Sequence, residues 1–310
     1  MKLDYLKGEM QACPLCGGAE FELLKANDRY AMRVKTVGCS NCGLIQSNPR
    51  PNEENISRFY QLDYRRFYQN IQKPSQSYIG KTGKDLRLAY TANYLMNEIT
   101  KNNSKTLLDV GCSEGALFKS LLEEGYQGEL FGVEPNTDFA NFAHETTGAT
   151  IVSNLSQIER TFDAVILSHV LEHSLDPQML LSEIFKRLNV GGFLYIDVPD
   201  ADQYHGLADL HVAHVVHFTS RTLQAMASSV GFSISHIESH NPPHHPKSLR
   251  LIGIKQRQKQ KIAQSSKLTE TDTWARIRRI RVWRYLARRR LSQVSVLRML
   301  YRLTKATRMR

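Results

Sequence analysis

No uncharged apolar run in the 310-residue sequence is long enough to span a bilayer, and the first eleven residues contain Lys2, Asp4, Lys7 and Glu9 rather than an apolar core. A membrane span and a secretory signal peptide are therefore not expected, and we predict a cytoplasmic protein. Cysteine is scarce as well. Four of the five cysteines form two C-x-x-C pairs before residue 43, which in a reducing compartment favours metal binding over disulfides.

Acidic residues are almost missing from the C-terminal segment. Residues 247–310 contain 20 Lys and Arg but only Glu270 and Asp272 as acids, whereas the preceding 246 residues contain 21 basic and 28 acidic residues. The body is thus acidic and the tail strongly basic. The tail is therefore the part of the chain that is expected to meet a polyanion.

Apolar residues in this tail recur at steps of three or four and can share one helical face. They are Ile277, Ile280, Trp283, Ala287, Leu291, Val294, Leu297 and Tyr301. We predict a basic amphipathic helical tail over residues 256–310. Three contacts remain open for it: an anionic membrane at the inner membrane face, the protein's own acidic body and, as a lesser option, RNA.

Short apolar runs alternate with helical patterns between residues 105 and 255, which is typical of a parallel sheet covered by helices. Strands are predicted near 105–110, 129–134, 150–152, 162–167, 192–198, 232–238 and 249–255. The predicted fold class is α/β, with a doubly wound, mostly parallel seven-stranded sheet. The predicted divisions are a zinc-binding module at 1–47, a linker and helical lid or substrate segment at 48–104 with a helix near 84–99, the catalytic domain at 105–255 and the tail at 256–310.

A glycine turn follows the first strand of this domain. The pattern Asp109-x-Gly111-x-x-x-Gly115 leads into a helical segment, and Glu134 ends the next strand. Glycines let the backbone turn sharply and approach a ligand, and a carboxylate in this place can accept hydrogen bonds from both hydroxyls of a ribose. A dinucleotide is disfavoured because Ser113 stands where its pyrophosphate needs a second glycine. A turn that binds no ligand remains the alternative.

This pattern resembles the first motif of the class I S-adenosylmethionine-dependent methyltransferases, and Glu134 is similar to their ribose-binding acid. Residues 162–173 and 191–199 resemble the family's fourth and fifth strands. The resemblance implies a Rossmann-like fold, S-adenosyl-L-methionine as the cofactor, and an adenine contact at Ser153 or Asn154. The implied cofactor-binding residues are Asp109, Gly111, Cys112, Ser113, Gly115, Glu134, Asn154 and Ser168, with Cys112 as a small residue beside the turn.

The two cysteine pairs, Cys13-x-x-Cys16 and Cys39-x-x-Cys42, are each followed by glycine. This spacing lets both thiolates of a pair meet one tetrahedral ion, and a hairpin closes the gap between the pairs. Four ligands leave no open position, so we predict a structural zinc. With the Pro-rich residues 48–51, the arrangement resembles a bacterial methyltransferase subgroup that has an N-terminal zinc-binding domain. The subgroup implies polysaccharide or sugar biosynthesis, and the absence of a large C-terminal domain favours O-methylation over C-methylation.

Histidines are the candidate bases for removing a proton from an acceptor hydroxyl. They fall in two places, after the fourth strand of the resemblance and in the loop before Phe218. The candidates are His169, His173, His214 and His217, with His211 beside them. Each has a structural alternative: His173 precedes a turn and helix cap at Asp176-Pro177, and His217 precedes a predicted cap at Thr219 for a helix over 220–230. The group His169-x-x-Glu172-His173 with a loop histidine also suits a divalent ion.

The predicted function is therefore an S-adenosylmethionine-dependent methyltransferase that O-methylates a sugar, nucleotide sugar or lipid-linked glycan, with residues 60–78 and the zinc module as a lid over the acceptor. Two alternatives remain open. One is an RNA methyltransferase that uses the zinc module and the basic tail, although the acidic body disfavours a nucleic-acid partner. The other is a non-catalytic cofactor-binding protein of the same fold.

Overall fold

The computed structural model describes residues 8–30, 32–60, 64, 73–74, 84–245, 247–257 and 272–280. The strands are β1 (Phe21–Lys25), β2 (Thr36–Cys39), β3 (Ile45–Ser47), β4 (Thr106–Val110), β5 (Glu129–Val133), β6 (Thr150–Val152), β7 (Phe162–Ser168), β8 (Leu188–Pro199), β9 (Val216–His217), β10 (Phe232–His240) and β11 (Ser248–Lys255). The helices are α1 (Glu53–Arg58), α2 (Lys84–Lys101), α3 (Ala116–Glu123), α4 (Thr137–Thr147), α5 (Pro177–Arg187), α6 (Ser220–Val230) and α7 (Asp272–Arg279), with 3-10 turns at Leu155–Gln157, Leu171–His173 and Ala201–Gln203.

The main sheet has seven strands in the order β10-β11-β8-β7-β4-β5-β6. The five strands from β8 to β6 are parallel, and β11 runs antiparallel to β8 and β10. The predicted mostly parallel seven-stranded α/β fold is therefore confirmed. Each predicted strand is present, and β8 begins before its predicted start at 192 because Leu188 already pairs with Phe162.

Two helices begin at capping residues that can be recognised in the sequence. The Asp176 side chain accepts from the backbone N–H of Met179, and Pro177 occupies the first turn of α5. Thr219 caps α6 with Thr222, as predicted from its place before residue 220. These caps fix where the chain leaves the carboxyl edge of the sheet, which is the edge on which the candidate histidines lie.

A second, antiparallel sheet has the order β1-β2-β3-β9. Strands β1 and β2 form the hairpin that closes the gap between the two cysteine pairs. Strand β9 comes from far along the chain, and its His217 pairs with Ile45 of β3. The cysteine-bearing segment and the histidine loop are thus parts of one sheet. The domain limits given above remain predictions.

Helix α7 packs against this second sheet. Trp274 and Ile277 are fully buried in an apolar cluster with Leu24 and Ile45, and Ile280 packs against the same cluster. Lys25 donates from Nζ to the backbone oxygens of Arg278 at 2.6 Å and Ile280 at 2.7 Å, which closes the end of the helix.

Ile277 and Ile280, the first two members of the predicted amphipathic stripe, thus contact the protein's own body. The later members of the stripe and most of the predicted lid at 60–78 lie outside the described residues. Within the described ranges, none of the helices combines the length and apolarity that crossing a bilayer requires.

Candidate active site and metal centres

The turn between β4 and α3 adopts the backbone that a close ligand approach needs. Gly111 and Gly115 have φ values of +80° and +76°, and Ser113 between them has φ +55°. A Cβ on Gly111 would lie 2.6 Å from Cγ2 of Val170, so only glycine fits between the turn and the segment after β7. The turn is therefore in direct contact with Val170, the residue that follows the candidate His169.

Glu134 lies at the end of β5, beside this turn. The backbone N–H groups of Gly111 and Cys112 donate to the carbonyl of Val133, and the Glu134 carboxylate accepts from the backbone N–H of Asn136 at 2.9 Å. The Glu134 side chain is buried. The structure thus places the Glu134 carboxylate next to the turn, and its contact to a ribose stays a prediction.

Two further predicted cofactor residues, Asp109 and Cys112, are buried beside the glycine turn. Asp109 is buried at the end of β4, and burial raises the pKa of its carboxyl to about 8. Cys112 is buried with its thiol against Gly132, where a Cβ would lie 2.5 Å from Sγ, and burial raises the pKa of the thiol. Cys112 thus lies where a small residue beside the turn was predicted.

An ion pair that the sequence did not indicate fastens α2 to the turn. Nζ of Lys84 lies 2.7 Å from Oε1 of the buried Glu114 and 3.3 Å from Oγ of Ser113. Burial acts to raise the pKa of Glu114, but the charge and hydrogen bond of Lys84 outweigh it and lower that pKa. Glu114 therefore holds a charge that fixes the conformation of the turn.

The residues implied for adenine, Ser153 and Asn154, follow β6 and are exposed. The Asn154 side chain caps the 3-10 turn Leu155–Gln157, and Ser153 donates from Oγ to Oε1 of Gln157 at 3.0 Å. Ser168, at the end of β7, has a buried Oγ with no hydrogen-bond partner among the described residues. A carboxylate that can accept hydrogen bonds from a ribose, a glycine turn that a ligand can approach, and a buried hydroxyl without a partner among the described residues together fit S-adenosyl-L-methionine.

His169 follows Ser168 directly, in a left-handed backbone conformation with φ +56°. Its Nδ1 lies 3.2 Å from Oε1 of Glu172, while its Nε2 is buried and has no hydrogen-bond partner within the described part of the chain. Burial lowers the pKa of His169 well below its usual value. The carboxylate acts as acceptor for the Nδ1 proton, which leaves the lone pair on Nε2.

Asp197 lies beside His169 and was not identified from the sequence. It is fully buried in β8, its Oδ1 is 3.2 Å from Nε2 of His240, and its Oδ2 accepts from the hydroxyl of Tyr195 at 3.4 Å. Burial acts to raise the pKa of Asp197, but the His240 contact and nearby positive charge bring it below the usual value. His245 completes this group, with its ring centroid 4.4 Å from that of His169.

Two of the remaining candidate bases, His173 and His214, form a second cluster together with His211. The ring centroids of His173 and His214 are 4.9 Å apart, and those of His211 and His214 are 3.9 Å apart. Tyr60 and Tyr64 each meet His173 edge-on, with centroids 5.9 Å from it.

His217 occupies a different environment. It is fully buried in β9, and its Nδ1 lies 3.2 Å from the hydroxyl of Tyr204. Its Nε2 is buried and has no hydrogen-bond partner among the described residues, and its ring centroid lies 6.2 Å from that of His214, so His217 stays a candidate base.

The four paired cysteines meet in one cluster. Their sulfur atoms all lie within 4.8 Å of one another, with Sγ distances of 3.5 Å for Cys13 and Cys42 and 3.6 Å for Cys16 and Cys39. Sulfurs bound to one tetrahedral zinc at about 2.3 Å lie about 3.8 Å apart, so the cluster fits the ion. Cys112 belongs to the cofactor turn instead.

Comparison with known proteins agrees with this geometry. A family model described as a methyltransferase domain matches residues 84–237. Residues 84–237 are therefore similar to a methyltransferase domain.

Two curated relatives share part of this domain. A mitochondrial ubiquinone biosynthesis O-methyltransferase of Candida albicans is 29% identical over 144 residues, which are 41% of this chain and 44% of the relative. A ubiquinone biosynthesis O-methyltransferase of Vibrio cholerae is 30% identical over 112 residues, 33% of this chain and 45% of the relative. The chain thus spans about half the length of the curated relatives it matches.

A solved structure is similar as well: magnesium protoporphyrin IX methyltransferase from Synechocystis, with 16% identity, a TM-score of 0.48 and coverage of 66% of this chain and 100% of that one. The match to the family model begins with α2, so the Lys84 contact to the turn lies inside the matched residues. The cysteine cluster and α7 lie outside the matched residues.

Proposed function

We propose that this protein transfers a methyl group from S-adenosyl-L-methionine to a hydroxyl oxygen of a sugar, nucleotide sugar or lipid-linked glycan. One observation carries the proposal: the imidazole of His169 has its Nδ1 beside the Glu172 carboxylate and a buried Nε2 without a hydrogen-bond partner among the described side chains, next to the glycine turn. A buried nitrogen of this kind costs about 1–3 kcal/mol unless a ligand satisfies it.

The chemistry of a hydroxyl acceptor explains why such a nitrogen is needed. The cofactor supplies a methyl group on a positively charged sulfur, which is open to displacement. An alcohol is a poor nucleophile until its proton leaves, and Nε2 of His169 is the proton acceptor in this site. Glu172 holds the Nδ1–H tautomer and stabilises the imidazolium that forms. Gly111, Gly115 and Glu134 hold and orient the cofactor.

The class of acceptor rests on the subgroup with an N-terminal zinc-binding domain, which the cysteine pairs resemble and which implies sugar chemistry. The names of the two relatives supply a second candidate, since both are O-methyltransferases of ubiquinone biosynthesis. Both candidates are oxygen acceptors. The role of His169 is therefore common to them, and only the acceptor distinguishes them.

Methyl transfer from labelled S-adenosyl-L-methionine to a panel of acceptors tests the proposal. The panel contains nucleotide sugars, lipid-linked glycans and hydroxylated quinone precursors. His169→Ala should lower kcat by roughly a hundredfold or more, as loss of a general base does, and leave cofactor affinity unchanged. The exposed His205, changed to Ala, is the matched control. Equal kcat in His169→Ala and His205→Ala would refute His169 as the base, and label only in the quinone precursors would favour the second candidate.

Calorimetry tests the cofactor site separately. Glu134→Ala removes both carboxylate oxygens, and each hydrogen bond to a charged acceptor is worth about 1.5–3 kcal/mol, so affinity for S-adenosyl-L-methionine should fall by roughly a hundredfold or more. Glu129, an exposed acid at the start of the same strand, is the control when changed to Ala. Equal affinity in the two variants would show that Glu134 does not bind the ribose.

A further inference from the structure

Three side chains at the carboxyl edge of the sheet converge on one point. Glu172 and His173 belong to the 3-10 turn that follows β7, and His214 comes from the loop before β9. One ligand atom from each residue lies within 4.8 Å of the other two. Glu172 and His214 are buried, and the His173 side chain is 17% exposed, which leaves a path from solvent.

The hydrogen bonds of His173 orient its free nitrogen toward this point. Its Nδ1 lies 2.8 Å from the backbone oxygen of Ala213. A carbonyl oxygen only accepts, so Nδ1 holds the proton and Nε2 bears the lone pair. Metal-ligating histidines are typically held in this way, with the second ring nitrogen donating to a carbonyl or carboxylate.

The other two residues present buried atoms with unmet hydrogen-bonding capacity. Oε2 of Glu172 and Nδ1 of His214 have no hydrogen-bond partner in the described parts of the chain. Glu172 does not bond to His173 instead, because its Oε1 lies 3.9 Å from Nε2 of His173, beyond hydrogen-bonding distance. Leaving such groups unpaired costs about 1–3 kcal/mol each. A cation at the centre of the three removes this cost.

We propose that Glu172, His173 and His214 bind one divalent transition-metal ion. Ligands bonded to one ion at about 2.1 Å lie about 3 to 4 Å apart, so binding contracts the cluster, whose ligand atoms lie within 4.8 Å of one another, by about 2 Å at most. Two imidazole nitrogens and one carboxylate oxygen favour ions of the zinc, cobalt and iron type over magnesium or calcium.

This site differs from the cysteine cluster in its open coordination. Four thiolates complete a tetrahedral ion, whereas three ligands leave a position for an oxygen. Oε1 of Glu172 is beside Nδ1 of His169, so the same carboxylate connects the ion to the proposed base. The role of the ion rests on the proposed function: it binds the acceptor hydroxyl and lowers its pKa beside His169. The existence of the site does not rest on that function.

Cobalt titration of the zinc-loaded, full-length protein tests the proposal. We expect one Co²⁺ per chain beyond the structural zinc, with visible absorption that lacks a thiolate-to-metal charge-transfer band. His214→Ala and His173→Ala should each weaken Co²⁺ binding by at least about tenfold, and the exposed His205→Ala should not change it. His173 is partly exposed, so its variant provides the measurement if replacement of the buried His214 prevents folding.

Two outcomes would overturn the site: Co²⁺ affinity that is equal in the wild type and the folded His173 or His214 variant, or absorption that reports thiolate ligation alone. Binding of S-adenosyl-L-methionine and methyl transfer, measured in the same preparations, separate this site from the proposed function. Normal Co²⁺ binding without methyl transfer to any acceptor would count against the proposed function only. Methyl transfer with no histidine-dependent Co²⁺ binding would refute the metal site only.

Discussion

The docking of α7 on the cysteine-bearing sheet is predicted to depend on Trp274. The Trp274 side chain is 1% exposed, and its Nε1 donates to the backbone oxygen of Gly43 at 3.3 Å. Trp→Ala changes in apolar cores cost about 3–5 kcal/mol, so Trp274→Ala should shift the docking equilibrium of α7 by roughly a hundredfold or more. Trp274→Phe keeps one aromatic ring but loses the donor, which is worth about 1 kcal/mol, together with part of the packing of the indole.

Limited trypsin digestion measures this equilibrium, because α7 contains its own cleavage sites at Arg276, Arg278 and Arg279. Cleavage follows the population of the undocked helix when docking is fast relative to proteolysis. Mass spectrometry should show cleavage at these arginines accelerated roughly a hundredfold in Trp274→Ala and by a smaller factor of at least about fivefold in Trp274→Phe. The wild type provides the reference rate.

A substitution at Gly38 tests the same packing of Trp274 from the opposite side of the contact. A Cβ on Gly38 would lie 2.4 Å from Cε2 and Cζ2 of Trp274, so Gly38→Ala displaces the ring in the wild type. In the Trp274→Ala background the same methyl group enters the vacated space, and it should be neutral or stabilising. Equal effects of Gly38→Ala in both backgrounds would refute this packing and the docking assigned to Trp274.

Three further outcomes are expected. Elemental analysis should find one zinc per chain bound by the cysteine cluster, lost in Cys16→Ser and retained in Cys112→Ser, and equal zinc in both variants would contradict the assignment. Burial raises the pKa of Asp28 to about 6 from 3.8, so its contribution to stability is present at low pH and is lost as pH rises through about 6. Chemical denaturation should show the wild type gaining about 1 kcal/mol relative to Asp28→Asn between pH 7 and pH 5, and a pH-independent difference would exclude this origin. Flotation with anionic vesicles should show salt-sensitive binding by the full chain and none by a chain ending after Ile280, which keeps α7; equal flotation of both would exclude the tail as the anchor.

Local patterns predicted the parts of this molecule that depend on neighbouring residues. The alternation of apolar runs gave the seven strands, and the glycines at 111 and 115 gave the turn, because each reflects a constraint on the local backbone. The two cysteine pairs were recognisable because ligand spacing within a pair is also local. The meeting of the two pairs needed only a hairpin between them.

The contacts that the sequence did not reveal join residues far apart in the chain. Lys84 contacts Glu114 and His240 contacts Asp197, and no periodicity in the sequence indicates either contact. Each buries a charged or polar group that only the folded sheet edge brings to its partner. In the sequence, Asp197 is only one residue of a largely apolar strand, with nothing to mark it as part of a site. Its place beside His169 follows from the register that pairs Ser168 with Asp197.

The second sheet connects the cysteine cluster to the candidate site, and this connection constrains how the protein works. β3 follows the cysteine cluster and pairs with β9, whose chain continues back through Val215 to His214. The backbone N–H of Val215 donates to the carbonyl of Glu172 at 2.8 Å, which ties the histidine loop to the turn after β7. We therefore predict that a zinc ion bound by the cysteine cluster also positions His214 against Glu172 and His173. Loss of that ion is expected to act on the candidate site through this sheet, although none of the cysteines belongs to it.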